Sequence, residues 1–270
     1  MLYNRAVDAS SLASALAGLA LGPLRYLPSA GSTNQVAMDW ALEGAPDLAL
    51  VAAGEQTSGR GRLGRRWYTP AGTALAFSLV LRGGSQDLHH PARLTHLGAL
   101  AVCQALREHY RLPAQVKGPN DVLVEGKKLC GVLAEAVWQD QALLAVVIGI
   151  GVNVSAGSIP RHLPLAFPAT CLEAETGFPV ERPKLLRQIL ESLLRWRAEL
   201  DSPAFLQRLE DCLALRDQPV RILRPGQPEL EGVIAGLDSD GALRLRLAGG
   251  EGAAVQFGEV HLRAVDRTPD

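Results

Sequence analysis

The sequence predicts an α+β fold: a mixed or antiparallel sheet with helices packed on it, then a small β-barrel. Three observations carry this. Strand and helix signals interleave over the first 215 residues without strict βαβ alternation, which disfavours a doubly wound parallel sheet. After residue 215 come four short strand-like runs separated by Gly-rich turns, with no helical period. The chain has 270 residues, 47% of them apolar, enough for two units and a sizeable core.

The uncharged run 9–24 opens the chain. Leu12, Leu16 and Leu19 recur at helical spacing, so a surface helix over about 10–20 is expected, capped by Asp8 or Ser10. Asp8 argues against a signal-peptide core. Further helices are predicted over 34–43, 92–109, 181–200 and 203–214. In the fourth helix Leu185, Leu186, Ile189, Leu190, Leu193 and Leu194 trace one face. Strands are predicted over 48–54, 73–81, 121–125, 128–138 and 143–153, with a hairpin turn at Glu125-Gly126. The later runs are 219–223, 230–236, 242–247 and 253–263. Two units follow, 1–215 and 216–270, the second expected to fold by itself.

Charge and cysteine usage exclude several functions. With 27 Lys+Arg against 28 Asp+Glu there is no basic surplus for DNA binding. No apolar run reaches the roughly 18–20 residues of a membrane span. Cys103, Cys130, Cys171 and Cys212 form no C-x-x-C pair, which fits free thiols in a reducing, cytoplasmic setting. His89, His90 and His96 lack ligand spacing and read as a solvated loop and helix start. No metal ligands are assigned.

The richest stretch is Gln56-Thr57-Ser58-Gly59-Arg60-Gly61-Arg62-Leu63-Gly64-Arg65-Arg66-Trp67. It matches G-x-G-x-x-G formally, but a strand rather than a helix follows, so the dinucleotide reading fails. Four arginines among three glycines suit an anion: guanidinium groups grip carboxylate or phosphate, and glycines let amides turn toward it. Trp67 offers a face for a base. Such a loop is expected to order over bound ligand. The second constellation runs from Lys117, Asn120 and Asp121 to Lys128 and Gly131. Only four lysines stand against 23 arginines, and three of them lie between 117 and 128. A compact ammonium suits a single phosphoryl oxygen. Ser32-Thr33-Asn34 at a helix start reads as an N-cap or a pocket floor, and 148–153 as an apolar wall ending in Asn153.

In order, S-T-N (32–34), G-R-G-R-x-G-R-x-W (59–67), K-x-P-N-D (117–121), K-L-x-G (128–131) and G-x-G-x-N (149–153) resemble the motifs of the biotin protein ligases. The resemblance spans about 25–265. It implies the biotin/lipoate ligase fold, related to class II aminoacyl-tRNA synthetase catalytic domains, with an SH3-like C-terminal barrel. It also implies ATP-dependent formation of biotinyl-5′-AMP, then transfer of biotin to a lysine of a carboxylase's biotin carboxyl carrier domain, with Mg²⁺ expected. The implied biotin contacts are Ser32, Thr33, Asn34, Gln56, Arg60, Gly61, Arg62, Lys128 and Gly131. Those implied for ATP and the adenylate are Arg62, Arg65, Trp67, Lys117, Asn120, Lys128 and Asn153. Lys128 and Arg62 would act in catalysis, and Asp121 as a base, a metal ligand or a brace for its turn.

Gly118 departs from the family's usual tryptophan, which puts the pocket's shape in question. About 25 residues precede the matching region, too few for the family's winged-helix DNA-binding domain, so the ligase-only form is expected. Two rivals are a lipoate or octanoate ligase, which has no urea ring to bind, and a non-catalytic biotin-responsive regulator. A free strand edge would allow a homodimer.

Overall fold

The computed structural model describes residues 7–82, 91–118, 120–160, 165, 167–223, 228–255 and 261–264. Helix α1 (Ala9–Leu16) begins at Asp8, whose carboxylate and Ser11 form a reciprocal capping box. It stops short of the expected residue 20, because Gly18 takes a positive φ. Strand β1 (Leu24–Leu27), helix α2 (Thr33–Leu42) and strand β2 (Leu50–Ala53) make the sheet's parallel crossover. β1 was not expected: it is a four-residue, half-buried strand with no alternation to reveal it.

Strand β3 (Ala74–Leu81), helix α3 (Pro91–Tyr110) and strands β4 (Gln115–Lys117), β5 (Asp121–Val124), β6 (Lys127–Gln139) and β7 (Ala142–Asn153) complete the sheet. Its order is β1-β2-β3-β7-β6-β5-β4, with every pair but the first antiparallel. The mixed sheet of the sequence reading is therefore present, as is the Glu125-Gly126 turn, both residues at positive φ. Helices α4 (Leu172–Thr176), α5 (Arg182–Ala198) and α6 (Pro203–Asp211) follow. α4, five residues long, had no detectable period.

The two sheet faces are divided by side-chain size. On one face Leu75, Phe77, Leu79, Ile148, Ile150 and Val152 pack under α1, α3 and α5 in a large apolar cluster. On the other, Ala37, Trp40 and Ala41 of α2 cover Val51, Val80, Val137, Ala145 and Val147. That second cluster spans only half the face.

The C-terminal strands β8 (Pro219–Leu223), β9 (Leu230–Leu237), β10 (Leu243–Arg246), β11 (Gly252–Val255) and β12 (His261–Ala264) form an antiparallel sheet in the order β11-β10-β9-β8-β12. The run expected as one strand over 253–263 is thus two strands at opposite sheet edges. Among the described residues no ladder joins those edges into a closed barrel. Val220, Ile222, Ile234 and Leu243 belong to the same apolar cluster as the first sheet. Arg93 of α3 bonds the carbonyls of Leu200 and Ser239 and pairs with Asp201, while Glu210 of α6 accepts from the Leu237 amide at 2.6 Å. Among the described residues no helix is long and apolar enough to cross a membrane.

His96 corrects the sequence reading: it is 2% exposed, inside α3 and beside Gly241, while His89 and His90 lie outside the described residues. Burial, reinforced by Arg93, pushes its pKa down from 6.5 to about 4. Between those values the unfolded chain takes up a proton that the folded chain refuses. The stability contribution is complete above pH 6.5 and falls as the pH drops toward 4, with about 2 kcal/mol lost by pH 5. Urea unfolding of wild type and His96→Gln at pH 7 and pH 5 checks this. Wild type should lose about 2 kcal/mol more than the variant; equal losses would contradict it.

Candidate active site

The uncovered half of the α2 face is floored by main chain. Gly131 stands opposite Gly151 across β6 and β7, Gly149 lies two residues before Gly151 on the same face of β7, and two side chains use the space. A Cβ on Gly149 would overlap the Asn34 amide, and one on Gly151 would overlap the Trp67 indole. The result is a cavity of about 410 Å³, and every site residue singled out from the sequence lines it.

At one end lies the start of α2. Ser32 is buried in the N-cap position but makes no capping bond; Gln56 Oε1 instead accepts from the Thr33 amide at 2.8 Å. Gln56 Nε2 donates to the Thr69 hydroxyl, which fixes the amide's orientation. Behind them Ser78 Oγ lies 2.6 Å from Asn34 Oδ1 and 2.8 Å from Thr33 Oγ1, which is itself 3.1 Å from Gln56 Oε1. Three oxygen contacts thus share two hydroxyl protons. The Asn34 carbonyl oxygen can only accept, so it takes the Ser78 proton, and Thr33 has one proton for two acceptors. That shortage makes the Thr33 hydroxyl responsive to a polar ligand.

Asn34, Asn120 and Asn153 were expected as ligand contacts. Each lines the cavity, yet each spends its Nδ2 on a main-chain carbonyl: Leu133, Val132 and Thr170 respectively. They hold the walls in place.

The other end is cationic. Lys128 Nζ lies 2.6 Å from Asp121 Oδ1 and 5.4 Å from the Trp67 ring centroid. A β-bulge presents Lys128. Val122 pairs with Cys130 and Leu123 with Lys128, leaving Leu129 unmatched, while the Lys128 main chain bonds Pro168 and Thr170. The buried Lys117 ammonium lies 4.4 Å over the Phe167 ring. Residues 59–67 form a narrow hairpin, with Trp67 N bonded to Gly59 O and Gly61 N to Arg65 O. At its tip Leu63 and Gly64 have positive φ. Burial pushes the Arg62 pKa down, with Asp121 opposing and Arg65 adding to the effect. Arg66 bonds the Thr57 carbonyl.

Residues 26–153 match the Biotin/lipoate A/B protein ligase family, and residues 217–263 the Biotin protein ligase C terminal domain. The chain is 38% identical over 226 residues to the biotin–[acetyl-CoA-carboxylase] ligase of Paracoccus denitrificans, covering 80% of this chain and 90% of that one. The chain belongs to the biotin protein ligase family. A second family member, the biotin–[acetyl-CoA-carboxylase] ligase of Mycobacterium tuberculosis, is 31% identical over 268 residues, 95% of this chain and 96% of that one. The solved biotin protein ligase of Aquifex aeolicus in complex with biotin and ATP superposes with a TM-score of 0.76 at 27% identity, covering 90% and 99% of the two chains.

Sequence reasoning missed the wall formed by Ser158–Pro160, Leu165, Phe167 and Ala169, which has no periodicity or motif. It also missed Ser78, although a lone polar residue inside the apolar run 74–81 was a usable signal. The bare floor gives a direct test. Gly149→Ala should push Asn34 and the start of α2 off the sheet, costing about 1–3 kcal/mol in denaturant unfolding. An undiminished midpoint would refute the contact.

Proposed function

We propose that this member of the family joins biotin to ATP as biotinyl-5′-AMP and passes the biotin to a lysine of a carboxylase's biotin carboxyl carrier domain. The observation that carries this is a single cavity with a neutral hydrogen-bonding end and a cationic end, bridged by the Trp67 ring. Ser32, Thr33 and Gln56 would bond the ureido ring, offering both donors and acceptors. Asn34 holds their geometry, and Gly131 leaves room for the bicycle. Lys128, Lys117, Arg62 and Arg65 would surround the carboxylate and α-phosphate, with Trp67 and the Asn153 wall beside adenine.

In the first step a biotin carboxylate oxygen attacks the α-phosphorus and pyrophosphate leaves. In the second the acceptor amine attacks the acyl carbon and AMP leaves. Two anions must meet in the first, so positioned cations lower its barrier. Asp121, expected as a base, a metal ligand or a brace for its turn, lies 2.6 Å from the Lys128 ammonium and would also hold it in place.

Among the described residues no cluster of three or more His, Cys, Asp or Glu could cage a metal, and Asp121 is the one carboxylate in the lining. That suits Mg²⁺, which binds through one or two carboxylates plus substrate phosphates. Asp121 would be its protein ligand, and the ion would spread the triphosphate charge.

We place the catalytic unit at 1–215 and the barrel-like unit at 216–270. The four cysteines are free and buried, which supports a reducing, cytoplasmic setting. Residues 212–214 bond along the β4 edge, so a homodimer built by sheet pairing would use β1.

Mixing enzyme with biotin and ATP and detecting the adenylate by mass tests the first step; streptavidin blotting of a carrier domain tests the second. Lys128→Ala should slow adenylate formation a few hundredfold, about 3–4 kcal/mol. Near-normal pyrophosphate release from the folded variant would remove Lys128 from the mechanism. Arg62→Gly should still make biotinyl-AMP but release it, because a desolvated charge partner is lost and the hairpin gains freedom. Indiscriminate biotin labelling of an inert lysine-rich bait protein is expected; labelling no greater than wild type, with biotin and ATP still consumed, would show that Arg62 does not help close the site.

A further inference from the structure

Glu135 belongs to none of the motifs and does not line the cavity, yet it joins two elements that do. Its Oε2 accepts from Asn34 Nδ2 at 2.7 Å and from an Arg60 guanidinium nitrogen at 3.1 Å. One carboxylate oxygen thus receives a donor from the first turn of α2 and another from the base of the arginine hairpin. The side chain is 25% exposed, so the ion pair with Arg60 is partly desolvated. Neither donor has an equivalent alternative among the described residues. Asn34 has given its other amide proton contact to Leu133 O and its oxygen to Ser78, and Arg60 otherwise meets only Met38 Sδ at 3.6 Å.

The circuit continues from Asn34 through Ser78 to Thr33 and Gln56, the groups at the neutral end of the cavity. Thr33 and Asn34 are neighbours in the first turn of α2, so a ligand held by Ser32, Thr33 and Gln56 bears on the same turn that Glu135 grips through Asn34. We propose that Glu135 is a positioning residue that couples the arginine hairpin 59–67 to the N-terminus of α2, so that filling the neutral end of the pocket and seating the hairpin are one event. The proposal rests on the biotin ligase reading given above, with biotin as the ligand at that end. A carboxylate suits this place because it accepts both donors on one oxygen and adds its own charge to the bond with the guanidinium.

The hairpin carries its own reporter, since trypsin cuts after Arg60, Arg62, Arg65 and Arg66. Cleavage with and without biotin is followed by mass for wild type, Glu135→Gln and Glu135→Ala, each checked for folding by circular dichroism. Biotin should slow cleavage of wild type about tenfold and that of both variants less than about twofold. Both variants should still form biotinyl-AMP, with a raised KM for biotin and faster release of the intermediate.

Glu135→Gln keeps an acceptor for Asn34 and guards against a folding defect in Glu135→Ala. Arg60→Gln should lose the same protection, and the Arg60→Gln, Glu135→Gln double variant should lose no more than either single one. Additive losses, or undiminished protection by biotin in Glu135→Gln, would overturn the coupling. Failure of wild type to form biotinyl-AMP would instead overturn the ligase reading, and this proposal with it.

Discussion

Trp67 and Asn34 rest directly on main chain, the indole over Gly131 and Gly151 and the amide over Gly149, and the geometry of the site depends on that contact. Each glycine gives up a side chain that could pack, and what occupies the vacated space comes from another element. The same sheet face carries Val80, Val137 and Val147 farther along, where α2 closes down through Ala37 and Ala41. A gradient from bulky to bare residues along three strands therefore decides where the helix ends and the cavity begins. Cys130, Val132, Ile148, Ile150 and Val152 alternate with the glycines and fill the opposite face. One strand thus builds core and pocket at once, because its side chains alternate between faces.

Such a floor is polar and needs partners. Unpaired buried amides and hydroxyls would cost about 1–3 kcal/mol each, and most of those near the pocket are paired. Asn34, Asn120 and Asn153 each tie a carbonyl of β6 or of the 168–171 segment, while Gln56 stands in for the missing side-chain cap of α2. The Trp67 indole nitrogen is an exception, buried and without a hydrogen-bond partner among the described residues. Its placement against Gly151 is therefore not explained by local hydrogen bonding, and the value of the ring lies in the flat surface it presents to the cavity.

The motif residues were legible because their chemistry is concentrated in short runs: arginines threaded through glycine, lysines gathered in a chain poor in lysine. Spacing alone could not separate contact from support. An asparagine that meets a ligand and one that pins a carbonyl are the same letter, and Asn34, Asn120 and Asn153 each pin a carbonyl while lining the cavity. Ser78 and Glu135 were hidden for another reason. The partners that give them a place lie 44 and 101 residues away in sequence, so neither contact can be read from its own strand. The fold was legible where periods are long, as in α3 and α5. It was not in β1, β4 and α4, which are held by neighbours rather than by pattern.

The choice of lysine at 128 follows from crowding. An added Cβ at Gly131 would lie 3.2 Å from the Trp67 ring and 3.4 Å from both Cε and Nζ of Lys128, so ring, stem and ammonium converge over one bare residue. A planar guanidinium is wider than an ammonium and would compete with the indole for that space. The bulge at Leu129 contributes as well: Lys128 stays in register with Leu123 of β5 while its main chain bonds Pro168 and Thr170. Asp121, one strand away, neutralises the ammonium when no anion is bound. The arginines, longer and forked, occupy the hairpin, where reach matters more than compactness. Charge type thus follows the division of the site: a fixed point charge on the rigid sheet, and forked charges on the segment that stands over it.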